Sequence, residues 1–237
     1  MRIDRLGLYV KKPMRQIVIA IDGPAASGKS TTAREVARRL GLVYLDTGAM
    51  YRAVTLKAMH EGIDLKDGDR VADMTRRTQL ELQLVNDGQR VLLDGEDVSL
   101  AIRTPEVTAG TTPVSGHPQV REILVGWQRR LGVAGGVVAE GRDTTSVVFP
   151  DADVKIFLSA AIEARAGRRM KDLESVGVAT SPNEQSELLS RRDHADSSRQ
   201  ASPLVKVADA IEIDTSHITI EQQVQRVLDL AREVAEG

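Results

Sequence analysis

The chain has 237 residues, enough to bury one sizeable core with room for a smaller inserted lobe. Hydrophobic residues at 41%, charged residues at 28% and a net charge of -2 suit a globular protein without the basic field that gathers nucleic acid, so no polynucleotide partner is expected. The chain contains no cysteine, which excludes disulfides and thiolate metal sites, and no apolar run approaches the roughly 18 residues that cross a bilayer; a cytoplasmic protein with no membrane partner is expected.

The 32 basic residues include only eight lysines. Arginine is the planar fork that grips phosphate through two parallel hydrogen bonds, although a bias in codon usage produces the same excess. Residues 1–15 show no periodicity and carry a second methionine at Met14. They read as a disordered extension, with either methionine as the natural start.

The first β-rich run is Gln16 to Asp22, and a helical pattern begins after Ser30. Between them, Gly23, Pro24, Ala25, Ala26, Ser27, Gly28, Lys29 and Ser30 match G-x-x-x-x-G-K-[ST], with Thr31 following. The glycines let backbone N–H groups converge on an anion, and the helix N-terminus adds its positive end. Lys29 reaches the outer phosphates, and the Ser30 hydroxyl is placed to ligate Mg²⁺. ATP is the expected donor, but the loop alone does not say whether water or another molecule accepts the phosphate. No Asn-Lys-x-Asp follows, which argues against a GTPase switch.

A second run, Leu42 to Leu45, leads into Asp46-Thr47-Gly48-Ala49-Met50-Tyr51-Arg52. Strand carboxyl ends of an open α/β sheet face the ligand crevice, so Thr47, Tyr51 and Arg52 suit a monophosphate acceptor; a Tyr–Arg pair on a helix is also common on a solvated face. From Ile63 to Leu131 the pattern changes to an alternating hairpin about Asn86-Asp87-Gly88 and then two helices, which reads as an inserted lobe. A third run, Gly136 to Glu140, enters Gly141-Arg142-Asp143. There Arg142 suits a phosphate and Asp143 an amino group on a base, while a structural ion pair is the alternative.

Asp153 to Leu158 and Ala210 to Ile213 complete five β-rich runs alternating with helices. The pattern predicts an α/β fold: a five-stranded parallel sheet covered by helices on both faces, with an inserted α+β lobe and a short lid. Arginines 165, 168, 169, 191, 192 and 199, with Asp193 and Asp196, occupy two helices joined by a short glycine-containing segment. Such a segment suits a lid over the crevice, although each charge taken singly suits a solvated helix face. Ser181-Pro-Asn-Glu184 and Thr219-Ile-Glu-Gln222 are capping boxes.

The stretches "IDGPAASGKST", "LDTGAMYR", "LDGEDVSLAIRTPEV", "GRDTTSVVFPDADVKIFLSA", "RDHADSSR" and "SPLVKVADAIEIDTS" follow the order seen in bacterial cytidylate kinases, and the chain resembles that family from Met14 onward. The resemblance implies transfer of the γ-phosphate of ATP to CMP or dCMP with Mg²⁺. It implies a core of residues 16–62 and 132–237, a monophosphate-binding lobe over 63–131 and a lid near 165–199. Carried over by motif, residues 23–31 hold the ATP phosphates, and Thr47, Tyr51, Arg52, Thr112 and Arg121 belong to the acceptor site. Arg142 and Asp143 meet the acceptor phosphate and the cytosine edge, and Asp196 with Arg199 its ribose and phosphate. Arg165, Arg169 and Arg192 are the lid arginines, with Lys29 and Arg142 beside them at the chemistry.

Three departures from the family pattern stand out: Thr145 replaces a glycine, His194-Ala195 replaces charged residues, and Thr47 replaces a frequent serine. A monomer is expected. A phosphate monoester has its second pKa near about 6, so the acceptor is ionised at neutral pH and no general base is nominated. Two other readings stay open on the residues alone, a P-loop kinase of another small metabolite and an ATP-sensing regulator.

Overall fold

The computed structural model describes residues 16–85, 88–174 and 177–236, together with two short antiparallel strands, β1 (Arg2–Ile3) and β2 (Tyr9–Val10). The rest of the expected disordered extension, and the Asn86-Asp87 turn, lie outside the described residues.

Five parallel strands form the core sheet: β3 (Val18–Asp22), β4 (Val43–Asp46), β8 (Val137–Gly141), β9 (Val154–Ser159) and β10 (Ile211–Asp214). Their order is β10-β9-β3-β8-β4, which centres the strand that feeds the phosphate loop. Every carboxyl end points to one rim, so five loops converge there.

Side chains alternate faces along each strand, and both faces are covered. Ile19 and Ile21 pack with Val36 of α1 (Lys29–Leu40) and with Val224, Val227 and Leu228 of α8 (Ile220–Glu236). On the other face Val137 and Ala139 pack against α2 (Thr47–His60), α3 (Gly68–Arg76) and α5 (Pro118–Gly132) through Val54, Val71 and Leu124. A branched run such as Val-Val-Ala-Glu-Gly in β8 is buried throughout because both faces meet helices.

Between α3 and α5 the chain forms a small antiparallel sheet, β5 (Leu80–Val85), β6 (Gly88–Leu93) and β7 (Glu96–Asp97), a short 3₁₀ turn at Ala101–Arg103 and α4 (Pro105–Gly116). The third strand, the 3₁₀ turn and α3 were not foreseen from the pattern; β7 is two residues long, too short to show a period. Val91, Leu93, Val98, Ile102 and Val107 bury against Ala49, Ala53 and Leu56 of α2, so one helix serves both cores.

α6 (Ile162–Glu174) and α7 (Pro182–Ser198) complete the molecule. The Thr219 hydroxyl accepts from Gln222 N at 3.2 Å and Gln222 Oε1 accepts from Thr219 N at 2.8 Å, a complete capping box, whereas at Ser181 the hydroxyl accepts from Glu184 N at 3.2 Å and Glu184 turns its carboxylate to the Thr180 hydroxyl at 3.0 Å.

Candidate active site

The loop after β3 is shaped by left-handed backbone at Gly28 (φ 96°) and Ala26 (φ 58°). At Gly23 a Cβ would stand 2.1 Å from the Leu158 carbonyl oxygen, so no other residue fits there. Three partners turn the loop's carbonyls outward: Arg165 donates to Ala25 O (3.3 Å), Arg168 to Ala26 O (3.3 Å) and the Thr215 hydroxyl to Ser27 O (2.9 Å). Each trans peptide then aims the following N–H the opposite way, which is how the loop presents donors to an anion. The Lys29 ammonium donates to Pro24 O at 2.7 Å.

Two cavities open from this loop. The first is lined by Lys29, Thr47, Tyr51, Arg52, Arg142 and Asp143, among others. The second runs along Gly28, Lys29, Ser30, Thr31, Arg168 and Arg169. They share Ala25, Ala26, Lys29, Ser30, Arg52 and Arg192, so they meet end to end at the loop lysine. Their charge differs. Six cations and four carboxylates line the first, whereas six cations and the single carboxylate of Asp172 line the second.

In the first cavity Arg142 donates through Nε to Asp196 at 2.7 Å, and Arg199 lies 3.7 Å from Asp196 and 4.0 Å from Asp143. Arg121 pairs with Asp143 and stacks 5.2 Å over the Tyr51 ring. Thr47 donates to Glu140 O at 2.8 Å. Buried nitrogens on Arg52 (Nε), Arg121 (Nε), Arg192 (Nε) and Arg199, with the Tyr51 hydroxyl, have no protein partner. Donors left over around one cavity suit a polyanionic guest, because a buried unpaired donor costs roughly 1–3 kcal/mol.

Crowding shows in the pKa values. Burial first, and the Arg142 guanidinium next, hold the Lys29 ammonium well below its ordinary value. The same two causes lower Arg192 to about 10. Burial pushes the Glu140 carboxyl up, and nearby Asp46 adds to it.

Not every expected residue lines these cavities. Arg165 is enclosed behind the loop, paired with Asp193 at 2.7 Å and donating to Ala160 O at 3.1 Å. Thr112 lines a third, apolar groove between α4 and the α6–α7 pair, whereas Thr111 and Ser115 of the same helix line the first cavity. Arg169 and Arg192 reach that third groove as well.

Besides Thr111 and Ser115, sequence reasoning missed Thr215, Glu140, Asp46 and Arg103. Thr215 follows β10, and Glu140 is the penultimate residue of the buried strand β8; an acid or hydroxyl at a strand's carboxyl end was the available signal. Asp46 caps α2 through Ala49 N (2.9 Å) and pairs with Arg52 (2.8 Å). Arg103, from the 3₁₀ turn, lines the second cavity.

The departure at Thr145 has a structural counterpart. Thr144 and Thr145 each donate both N–H and hydroxyl to the buried Asp22 carboxylate, at 2.7 to 2.9 Å. They open a wide π-helical turn (Thr144–Val148) that sutures the end of β3 to the loop after β8.

For a metal, the described residues hold no cluster of three or more acidic, histidine or cysteine side chains. Magnesium usually takes only one or two protein oxygens and draws the others from phosphate and water. The Ser30 hydroxyl, 2.6 Å from Glu140 Oε1 at the junction of the cavities, is a donor set that fits it. Tyr44 donates to the same oxygen at 3.1 Å and steadies it.

A phosphate loop on a central parallel strand, opening into two joined cationic cavities, defines a P-loop kinase. The fold is shared with a gluconokinase from Sinorhizobium meliloti (TM-score 0.50, 16% identity, 93% of this chain and 94% of that one), a likeness of fold alone. The cytidylate kinase family model matches residues 19–233. A cytidylate kinase from Geobacillus kaustophilus is 46% identical over 92% of this chain and 98% of its own length. A bifunctional pantoate ligase/cytidylate kinase from Parasynechococcus marenigrum is 48% identical over 92% of this chain, which spans only 44% of that longer relative. The chain belongs to the cytidylate kinase family.

No helix among the described residues is long and apolar enough to cross a membrane.

Proposed function

We propose that the two cavities hold two nucleotides end to end, and that the chain moves the γ-phosphoryl group of ATP to CMP or dCMP, giving ADP and CDP or dCDP. The observation that carries this reading is the sharing of Lys29, Ser30, Arg52 and Arg192 by both cavities, because a phosphoryl group handed across that junction stays neutralised throughout. The nearly carboxylate-free second cavity suits a triphosphate, and the mixed first cavity suits a base, ribose and monophosphate. Both cavities are lined by one chain, so the reading needs no second copy and treats the enzyme as a monomer in the cytoplasm, where nucleotides are available.

Residues 63–131 act as the monophosphate-binding lobe, 16–62 and 132–237 as the core, and the span near 165–199 as the lid. Residues 23–31 cradle the donor phosphates. Mg²⁺, held through Ser30 with Glu140 behind it, supplies neutralisation of the donor's phosphate oxygens. Arg52 and Arg142 bind the acceptor phosphate. Arg121, Asp143 and Tyr51 face its base, and Asp196 with Arg199 its sugar and phosphate. Lys29 exchanges the Pro24 carbonyl for a phosphate oxygen.

Arg169 and Arg192 serve the transferring group as the lid closes, whereas Arg165 acts from behind by fixing Asp193 and the loop. Thr112 and Arg169 line the same third groove, so Thr112 joins the acceptor site when α4 and the α6–α7 pair close on each other. Closure also excludes water, which would otherwise take the phosphoryl group.

Cytosine is preferred because Asp143 accepts from its exocyclic amine, which uracil lacks. A site built for a hydrogen bond rejects the analogue without it by about 10⁴-fold or more. A coupled ADP-release assay over a panel of nucleoside monophosphates tests the reading. Turnover is expected with CMP and dCMP and far less with UMP. ATP binding without acceptor-dependent turnover would establish a sensor instead, and equal kcat/KM for CMP and UMP would remove the Asp143 role.

A further inference from the structure

Among the cations lining the donor-side cavity, Arg103 is the one carried by the inserted segment 63–131. Its neighbour Ile102 is fully buried in the small core with Val91, Leu93, Val98 and Val107, which anchors the turn's backbone. The Arg103 side chain is free by comparison, at 49% exposure. Its guanidinium shares the cavity with Lys29, Ser30, Arg52 and Arg192.

Among the described residues its one ion pair is a 3.9 Å contact with Asp46 Oδ2. That oxygen already accepts from Arg52 at 2.8 Å, and the other Asp46 oxygen caps α2 through Ala49 N at 2.9 Å. Asp46 is satisfied without Arg103. A guanidinium fork held loosely at the edge of an anion-binding cavity gains more from phosphoryl oxygens than from a shared, occupied carboxylate.

We propose that Arg103 is a catalytic residue: it leaves Asp46 and donates its N–H groups to the oxygens of the phosphoryl group in transfer. The proposal rests on the two-nucleotide reading above. In that step the bond from the γ-phosphorus to the β,γ-bridging oxygen breaks, and its electron pair stays on the departing ADP. An oxygen of the ionised acceptor phosphate forms the new bond, so neither a proton nor a co-reactant is needed. Negative charge spreads over the three equatorial oxygens at that moment.

Lys29 and Arg192 meet this charge from the core and α7, and Arg103 meets it from the segment that also carries Arg121. The segment that senses the acceptor base therefore delivers a guanidinium to the chemistry. ATP alone does not assemble the full set of charges, which ties transfer to acceptor occupancy and restrains hydrolysis.

Steady-state kinetics of the full chain with ATP and CMP, on wild type, Arg103→Met and Arg103→Lys, tests this. Loss of one preorganised donor to a developing charge costs about 10²- to 10³-fold in kcat, so Arg103→Met is expected to lose that much with both KM values nearly unchanged. Arg103→Lys keeps the charge without the fork and recovers only part of the rate. The affinity for ADP with aluminium fluoride in the presence of CMP should fall with kcat, while that for ATP alone holds. A kcat close to wild type in Arg103→Met, or a change confined to KM, overturns the proposal. If Arg103→Met fails to fold, the same split in Arg103→Lys decides, and full activity there overturns it. A wild type without CMP-dependent ADP release would sink the two-nucleotide reading instead.

Discussion

Lys29 and Arg192 carry positive charge into a crowd of guanidinium groups, and both sit below their ordinary pKa because of burial and then Arg142. Below its lowered folded pKa Lys29 is charged in both states; above it, and up to the ordinary 10.5, the unfolded chain holds the proton and the folded one does not. Stability of the ligand-free protein therefore rises with pH through that window, and bound ATP, by restoring the ammonium, flattens the rise. Thermal unfolding of wild type and Lys29→Met, with and without ATP, checks it; a slope unchanged in Lys29→Met would refute the assignment. Arg142→Met is a second test. It removes an acceptor-phosphate ligand, so kcat/KM for CMP is expected to fall by about 10²-fold or more. Asp196 keeps Arg199 at 3.7 Å, so the fold should survive, as urea denaturation would show. An active, equally stable variant would remove Arg142 from the acceptor site.

At the scale of elements, the site depends on sutures between strand ends. Asp22 at the end of β3 receives four donors from Thr144 and Thr145, which locks the phosphate loop's strand to the loop bearing Arg142 and Asp143. Burial pushes the Asp22 carboxyl up, and the hydroxyl and N–H donors pull it back. Hydrogen bonds to charged groups contribute roughly 1.5–3 kcal/mol each, so Thr145→Gly, which restores the glycine frequent in the family, should cost about 2 kcal/mol in urea unfolding, while Thr145→Ser costs much less. A glycine variant as stable as wild type would show that the hydroxyl contributes nothing. The same scale explains what was legible. Alternation and branched runs marked all five strands, but the hydropathy signal stopped one residue short at Asp46, Gly141, Ser159 and Asp214. There the backbone ladder continues while the side chain turns polar, or at Gly141 is absent, as the strand meets the crevice.

For the molecule as a whole, the two joined cavities make different electrostatic demands. Six cations against one carboxylate line the donor side, and six against four the acceptor side. Salt screens such fields over about 10 Å at 0.1 M, so KM for ATP should climb with added salt more steeply than KM for CMP. Equal salt dependence in initial-rate measurements would mean that the imbalance does not govern binding.

The phosphate loop could be read from the chain alone because its work is local: glycines, a lysine and a hydroxyl within nine residues, flanked by a strand and a helix. The alternating core was legible for the same reason, since burial on a strand or helix repeats at short intervals along the sequence. Which strands stand next to the loop was not. Only the order β10-β9-β3-β8-β4 brings Thr215 and Glu140 beside residues 23–31, and only the packing of the small sheet on α2 swings Arg103 to the donor side. The Thr215 hydroxyl and the Ser27 carbonyl it reaches lie 188 positions apart, and no local pattern records a partner at that distance.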